Sequence, residues 1–178
     1  MMTTSFTHKM AAHCESGAVT ALLRGAGMDV TESLVFGISG AIFFGYLSVP
    51  MLPFPTIALR NKPGRIRLKS PERLGVTLRT KTFRDPAAAT RELDELIARG
   101  IPVGAQVDYF YMDYLPEYTR AHFNAHYVIV TGKKDGRYLI SDTYYPSMSS
   151  LDAATLQTAR FARGQFAPKG LLDRKSVV

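Results

Sequence analysis

An α+β domain is the fold class this sequence predicts, and three observations carry that reading. Small and apolar residues recur at helical spacing directly after Cys14, through Gly17, Ala18 and Val19 to Leu22 and Leu23. Two strand-like runs, Asn124 to Thr131 and Arg137 to Asp142, flank Lys133-Lys134-Asp135-Gly136, and Asp-Gly between such runs marks a hairpin. A chain of 178 residues, 46% hydrophobic and 21% charged, can bury one proper core, so a single domain over 1–178 is expected.

Taken in order, the first helix starts at or just after Cys14 and runs up to Gly25 and Gly27. The most apolar stretch, Leu34 to Leu59, is interrupted by Gly37, Gly40, Gly45, Pro50, Pro53 and Pro55, which argues against a membrane-spanning helix. It predicts a buried second helix ending near Tyr46, followed by a Pro-rich loop. Arg65-Ile66-Arg67-Leu68-Lys69 and Thr77-Leu78-Arg79-Thr80-Lys81 alternate basic or polar with apolar residues, as edge strands or a mobile flap would. Asp85-Pro86 opens a helix through Ala88, Leu93, Leu96 and Ile97 that Gly100 stops, and Pro102 to Met112 alternates as a strand. Leu151 to Ala162 predicts a final amphipathic helix capped by Ser149, Ser150 or Asp152.

Cys14 is the chain's one cysteine, so it forms no internal disulfide and makes a poor core for a thiolate metal cluster. That leaves chemistry or burial. At a helix N-terminus, unpaired backbone N–H groups and the positive end of the dipole favour a thiolate. The competing reading is a small apolar residue on the first turn. His126 and Asp142, on the two hairpin strands, tip the balance towards catalysis. A two-residue turn at Asp135-Gly136 pairs Asp142 with Ile129, on the face opposite His126, whereas a three-residue loop from Lys134 to Gly136 pairs it with Val128, on the same face. The three-residue loop is the expectation, with Gly136 in the left-handed conformation of a bulge. Asp142 then accepts from one imidazole nitrogen while the other faces the thiol, making Cys14, His126 and Asp142 a catalytic set.

A metal site is the main rival account of the histidines, because His122 and His126 are four apart and His13-Cys14 would complete four ligands. On a strand, however, that pair stands about 13 Å apart, too far for one ion. Tyr127 to Val130 reads as strand, so neither metal nor cofactor is expected, and His122 becomes a pocket or loop histidine. The formal net charge is +7, from 22 Lys and Arg against 15 Asp and Glu, with many basic groups between Arg60 and Arg84. That segment carries no recognisable nucleic-acid motif, so an acidic partner is expected rather than nucleic acid. A single Lys9 and no apolar core precede His13, so no secretory signal is read, and a lone cysteine fits the cytoplasm.

Phe6-Thr7-His8, His13-Cys14-Glu15-Ser16 and Thr31-Glu32-Ser33-Leu34-Val35-Phe36-Gly37 with Gly40 and Phe44 form the first part of a wider pattern. Gly100 to Val103, Val107-Asp108-Tyr109-Phe110-Tyr111, His122 to His126, Ser141-Asp142-Thr143, Ala159-Arg160 and Phe166 to Lys169 continue it. Together they resemble the N-terminal domain of butirosin biosynthesis protein H, with Arg60 to Arg84 matching least. The resemblance implies a papain-like cysteine fold, N-terminal helices carrying the cysteine against an antiparallel sheet carrying the histidine and aspartate. It also implies an acyltransferase that takes an acyl group from a carrier-protein thioester to an amine or hydroxyl, with Cys14 as nucleophile, His126 as base and Asp142 as orienting acid. Acyl carrier proteins are acidic, which suits a basic rim. His8 stands six residues before Cys14, where papain-like enzymes place the oxyanion glutamine, and it reads equally as that donor or as a residue packing the helix entry. His13, His122 and Asp108 complete the candidate oxyanion and substrate-binding set. Longer members of the family carry a further helical C-terminal region not seen here, and a partner subunit or homodimer could supply the acceptor surface.

Three function classes follow: a cysteine acyltransferase acting on a thioester, a hydrolase (peptidase, amidase or thioesterase) using the same triad with water, and an idle binding module of the same fold.

Overall fold

The computed structural model describes residues 6–48, 50 and 53–175. Helix α1 covers Cys14–Gly25 and α2 covers Glu32–Ile38, with Thr31 capping α2 by accepting from the Leu34 N–H. Strands β1 (Ile42–Leu47) and β2 (Thr56–Arg60) form a separate antiparallel hairpin, and α3 (Arg65–Arg73) follows. The main sheet has six antiparallel strands in the order β3-β8-β4-β5-β6-β7. These strands are β3 (Leu78–Lys81), β4 (Val103–Val107), β5 (His126–Lys134), β6 (Arg137–Ser141), β7 (Ser149–Leu151) and β8 (Leu172–Lys175). Helix α4 (Pro86–Ala98) and α5 (Ala153–Arg160) complete the chain.

The alternation of the central strands divides the core in two. Val128 and Val130 of β5, with Val103, Ala105 and Val107 of β4, face Leu93, Leu96 and Ile97 of α4 and Leu156 and Ala159 of α5. Tyr127 and Ile129, on the other face of β5, pack against Cys14, Ala18 and Leu22 of α1. A strand buried on both faces reads as a continuous apolar run, which is why Tyr127 to Val130 shows little alternation in sequence. The outer side of α1 presents Val19 and Leu23 to Val30, Val35 of α2 and Ile66 of α3.

Several expectations are met in place. Asp85 caps α4 and Gly100 closes it with φ of 70°, while Asp152, one of three candidate caps, is the residue that caps α5. Others change. The second helix stops at Ile38, because the chain turns at Ser39 and at Gly40, where φ is 67°. The residues expected in its buried end form β1, and they are exposed: Ile42, Phe44 and Tyr46 lie outside the core, as do Ile57 and Leu59 across the hairpin. Arg65 to Lys69 is neither edge strand nor flap. It is the start of α3, whose Ile66 and Ser70 are buried one helical turn apart, and only Leu78–Lys81 is the expected edge strand. The expected strand from Pro102 ends at Val107, where Asp108 caps a 3-10 turn over Tyr109–Tyr111. Ser149–Leu151 pairs with β6 as β7, so α5 starts later than Leu151.

The β5–β6 hairpin keeps the expected register by a different route. Lys134 pairs with Arg137, leaving a two-residue turn in which Asp135 (φ 50°) and Gly136 (φ 78°) are both left-handed. The three-residue loop is therefore not present. The odd residue is Thr131 instead: Val130 pairs with Ile140 and Gly132 with Leu139, so Thr131 is a bulge. The bulge shifts the ladder by one, and the pairing Ile129 with Ser141, continued by one step, sets Asp142 opposite Val128.

Gly17, on the first turns of α1, is required by packing. A Cβ there would stand 2.4 Å from the Ala11 Cβ and 2.8 Å from the Thr143 Oγ1. Ala favours a helix interior over Gly by about 1 kcal/mol. At Gly17 that sign should reverse: Gly17→Ala is expected to cost about 1–3 kcal/mol, whereas Gly37→Ala in α2, where a Cβ meets nothing within 4 Å, should be neutral or mildly stabilising. Urea unfolding of the two variants checks this, and a stable Gly17→Ala protein would show that the α1 packing is looser than described.

Candidate active site

The site begins with the first turn of α1. His13 is its N-cap, with φ −144° and ψ 130°, and its Nδ1 accepts from the Ser16 N–H at 3.3 Å. Cys14 is the first helical residue and is buried, at 5% exposure. Two carboxylates hold this turn in place. Glu32 of α2 accepts from the N–H groups of Ala12 and His13, both at 3.0 Å, and from the Ser16 hydroxyl at 2.8 Å. Glu15, itself buried, reaches outward and accepts from the N–H groups of Gly64 at 3.1 Å and Arg67 at 2.9 Å, capping α3. The helix start that presents Cys14 is thus tied to both neighbouring helices.

His126 is the first residue of β5 and Asp142 the first residue after β6; both are almost wholly buried. His126 Nε2 and Asp142 Oδ2 are 2.8 Å apart. The imidazole also lies beside the Cys14 side chain. Since Nε2 is taken by Asp142, Nδ1 is the nitrogen left for the sulfur. Tyr109 supports the ring edge-on at 4.9 Å, and Tyr144 lies tilted at 5.8 Å. Asp142 is fully used: Oδ2 also accepts from the Tyr114 hydroxyl at 2.9 Å, and Oδ1 accepts from the Tyr144 N–H at 3.0 Å. A buried carboxylate with three donors stays ionised without an adjacent water.

The electrostatics follow from these contacts. Burial is the largest influence on His126 and opposes its charge, but the hydrogen bonds to Asp142 and Cys14 and the attraction of both groups outweigh it and raise the ring from 6.5 to about 9. Burial likewise works against the Asp142 carboxylate, yet the bonds from His126, Tyr144 and Tyr114 hold it below its ordinary value. Burial first, then Asp142, raises Tyr114, so it remains a donor. The arrangement can take a proton from Cys14 onto His126, stabilise the imidazolium through Asp142, and leave a sulfur nucleophile at the positive end of α1.

The remaining candidates are placed elsewhere. His8 is bonded at both nitrogens, with Nδ1 2.8 Å from the Ser141 Oγ and Nε2 2.9 Å from the Tyr145 carbonyl. The carbonyl can only accept, so Nε2 carries the proton and Nδ1 accepts from Ser141. No His8 N–H is left for an oxyanion. Burial, then the Arg60 guanidinium beside its Nε2, holds His13 down at about 4, so it is a neutral cap. His122 is exposed, stacked on Phe110 at 4.2 Å, and its Nδ1 is 2.7 Å from Asp108 Oδ2. Asp108 spends its other oxygen on the N–H groups of Phe110 and Phe123. This pair orders a loop and touches neither Cys14 nor Asp142. Among the described residues no group of three His, Cys, Asp or Glu side chains has a metal-holding arrangement, and no helix is long and apolar enough to cross a membrane. Sequence reasoning missed Tyr114, Tyr144, Glu15 and Glu32. Tyr144 lies two residues after Asp142 and Glu15 directly follows Cys14, but neither has a periodicity that separates a partner from a bystander.

Because the folded His126 value lies above that of the free imidazole, its contribution to stability is full below pH about 6.5 and is lost as the pH rises through about 9. Urea unfolding should therefore show stability falling across that window. Asp142→Asn should be less stable at the low end and flatter across it, and a wild-type curve that climbs from 6.5 to 9 would contradict a charged His126.

Comparison with known proteins gives the fold and the family. Two solved structures share the fold. A putative C39-like peptidase from Bacillus anthracis superposes with a TM-score of 0.67 at 14% identity, over 98% of this chain and 96% of that one. The peptidase domain of Streptococcus ComA, a bifunctional ABC transporter involved in a quorum-sensing pathway, gives 0.59 at 12% identity, over 96% and 98%. These likenesses establish a papain-like cysteine fold. A search of curated proteins returned no match. The family model described as butirosin biosynthesis protein H, N-terminal, matches residues 13–143, which span Cys14, His126 and Asp142, and the chain belongs to that family.

Proposed function

We propose that this protein is a cysteine acyltransferase, which accepts an acyl group from a thioester on Cys14 and passes it to an amine or hydroxyl of a small molecule in a biosynthetic pathway. The observation that carries the reading is the His126 ring held between the Cys14 sulfur and the Asp142 carboxylate. In the first half-reaction the Cys14 sulfur, its proton already held on His126, attacks the thioester carbon, and the donor thiolate leaves with that proton. In the second, His126 takes a proton from the acceptor as it attacks the acyl-enzyme, and returns it to the Cys14 sulfur. Thioester and acyl-enzyme are close in energy, so the exchange suits a reversible loading step, and the lone cysteine suits a reducing cytoplasm.

A hydrolytic reading has its own support in the peptidase relatives that share the fold. The two diverge at the acyl-enzyme, where water or an amine arrives. Membership of a family named for a biosynthesis protein favours transfer.

An acidic carrier protein is the donor the charge favours, and we take its docking point to be the edge beside the nucleophile. Arg67 is engaged with buried Asp173 at 3.4 Å and Lys69 with Glu72 at 2.8 Å, so these two cations already have acidic partners. Arg60 is exposed at the end of β2 and borders His13. It is the better docking cation.

Intact-protein mass spectrometry after incubation with a panel of acyl thioesters tests the chemistry. A mass gain should appear in the wild type, be absent in Cys14→Ala and His126→Ala, and persist slowly in Asp142→Asn, whose imidazole is poorly oriented. Added amines should discharge the acyl-enzyme faster than water, and discharge indifferent to every amine would favour hydrolysis. Acylation of Cys14→Ala at the wild-type level would end the triad assignment. For docking, Arg60→Glu should lower kcat/KM for a carrier-borne thioester by a larger factor than for a small thioester, and should flatten the salt dependence of the former. Equal losses with both donors would count against carrier docking at this edge.

A further inference from the structure

Acyl transfer through Cys14 passes through a tetrahedral carbon bearing an oxyanion, and catalysis depends on hydrogen-bond donors aimed at that oxygen. The Cys14 backbone N–H is one such donor by its position. His8 supplies none, since both its nitrogens are engaged by Ser141 and Tyr145. The side chain that does stand beside the Cys14 N–H is Tyr144, whose phenol oxygen faces it. No acceptor for the phenol's own proton is found among the described residues. Tyr144 is 44% exposed, so an incoming substrate reaches it, and its ring leans over His126 at 5.8 Å.

The segment that carries Tyr144 is pinned at every residue. Its own N–H donates to Asp142 Oδ1 at 3.0 Å. The Thr143 carbonyl accepts from the Ala11 N–H at 2.9 Å, with the Thr143 side chain against Gly17. The Tyr145 carbonyl accepts from His8 Nε2 at 2.9 Å, and the Tyr145 N–H donates to the Asp142 carbonyl at 3.0 Å. The contacts that orient the acid therefore also hold the phenol over the nucleophile.

Resting on the acyl-transfer reading above, we infer that the Tyr144 hydroxyl is the second oxyanion donor, acting beside the Cys14 N–H. In the free protein the phenol oxygen stands beside that N–H. As the Cys14 sulfur attacks, the new S–C bond forms, the carbonyl π pair moves onto oxygen, and that oxygen accepts from the fixed N–H and from the phenol O–H, which turns to it. On collapse the C=O bond reforms, the donor's C–S bond breaks, and its thiolate takes the proton held on His126. Tyr144 keeps its own proton throughout. Burial and the neighbouring Cys14 charge raise it above an ordinary phenol, which suits a donor that does not ionise.

Single-turnover acylation by a small acyl thioester and by the matching dithioester, in which sulfur replaces the carbonyl oxygen, tests this assignment. Tyr144→Phe should slow the maximal rate with the oxygen substrate about 100-fold, leave the half-saturating concentration close to wild type, and retain cooperative unfolding. Sulfur accepts hydrogen bonds poorly, so the dithioester should be slowed far less, and the wild-type preference for oxygen over sulfur should shrink. Equal slowing of both substrates would mean that Tyr144 only supports the fold around Cys14. An unchanged or faster rate would mean that the phenol fills or blocks the oxyanion position. If Cys14→Ala still acylates, or the wild type takes no acyl group, the acyl-transfer reading itself falls and this inference with it; wild-type acylation that Cys14→Ala abolishes and Tyr144→Phe leaves intact overturns this inference alone.

Discussion

One extra residue in a strand determines whether this protein has a site at all. Side chains on a strand alternate faces, so a slip of one position in the β5–β6 ladder would send Asp142 to the face opposite His126. The two-residue turn at Asp135-Gly136 would by itself produce that slip. The bulge at Thr131 cancels it, and the 2.8 Å bond between His126 and Asp142 depends on the cancellation. The tight turn and the bulge suit the right-handed twist of the hairpin, since primed turns match that twist and bulges increase it.

Around that pair the protein assembles a site from buried polar groups, each with a partner. Asp142 gathers donors from three segments of the chain: His126 on β5, Tyr114 after the 3-10 turn, and the Tyr144 N–H next to it. Glu32 does the same where the chain enters α1, and Glu15 at the start of α3, where its carboxylate occupies N–H groups that a helix start leaves open. The cost of burying so much charge is offset only because these bonds are made, and removing one member leaves the others unpaired. A further buried carboxylate, Asp173 on β8, accepts from Tyr127, Thr80 and Arg67, and burial pushes it up to about 6 despite those partners. It lies behind α1, and its role is to join β8 to β5 and α3.

The β1–β2 hairpin stands apart from this economy. Its apolar residues face solvent on both sides, yet its last residue, Arg60, borders His13 at the N-terminus of α1. The hairpin therefore adds little to the core and much to the surroundings of the nucleophile.

Local sequence was enough to place Cys14 at a helix start, to pair His126 with Asp142 across a hairpin, and to find α4 with its Asp85 cap, because capping chemistry, helical spacing and Asp-Gly turns act over a few residues. The family pattern, read from His13-Cys14-Glu15-Ser16, His122 to His126 and Ser141-Asp142-Thr143, was legible for the same reason. What only the tertiary structure decided depends on residues far apart in the chain. Arg65 to Lys69 became helical because Glu15, some fifty residues earlier, caps it. The stretch after Ile38 left the core because Gly40 ends the helix and β2 offers a pairing partner. His8 lost its place as an oxyanion donor to bonds with Ser141 and Tyr145, more than 130 positions away. Periodicity reports which face of an element is apolar; it carries no information about which distant polar atom will arrive to satisfy a buried donor, and that is settled only when the elements pack.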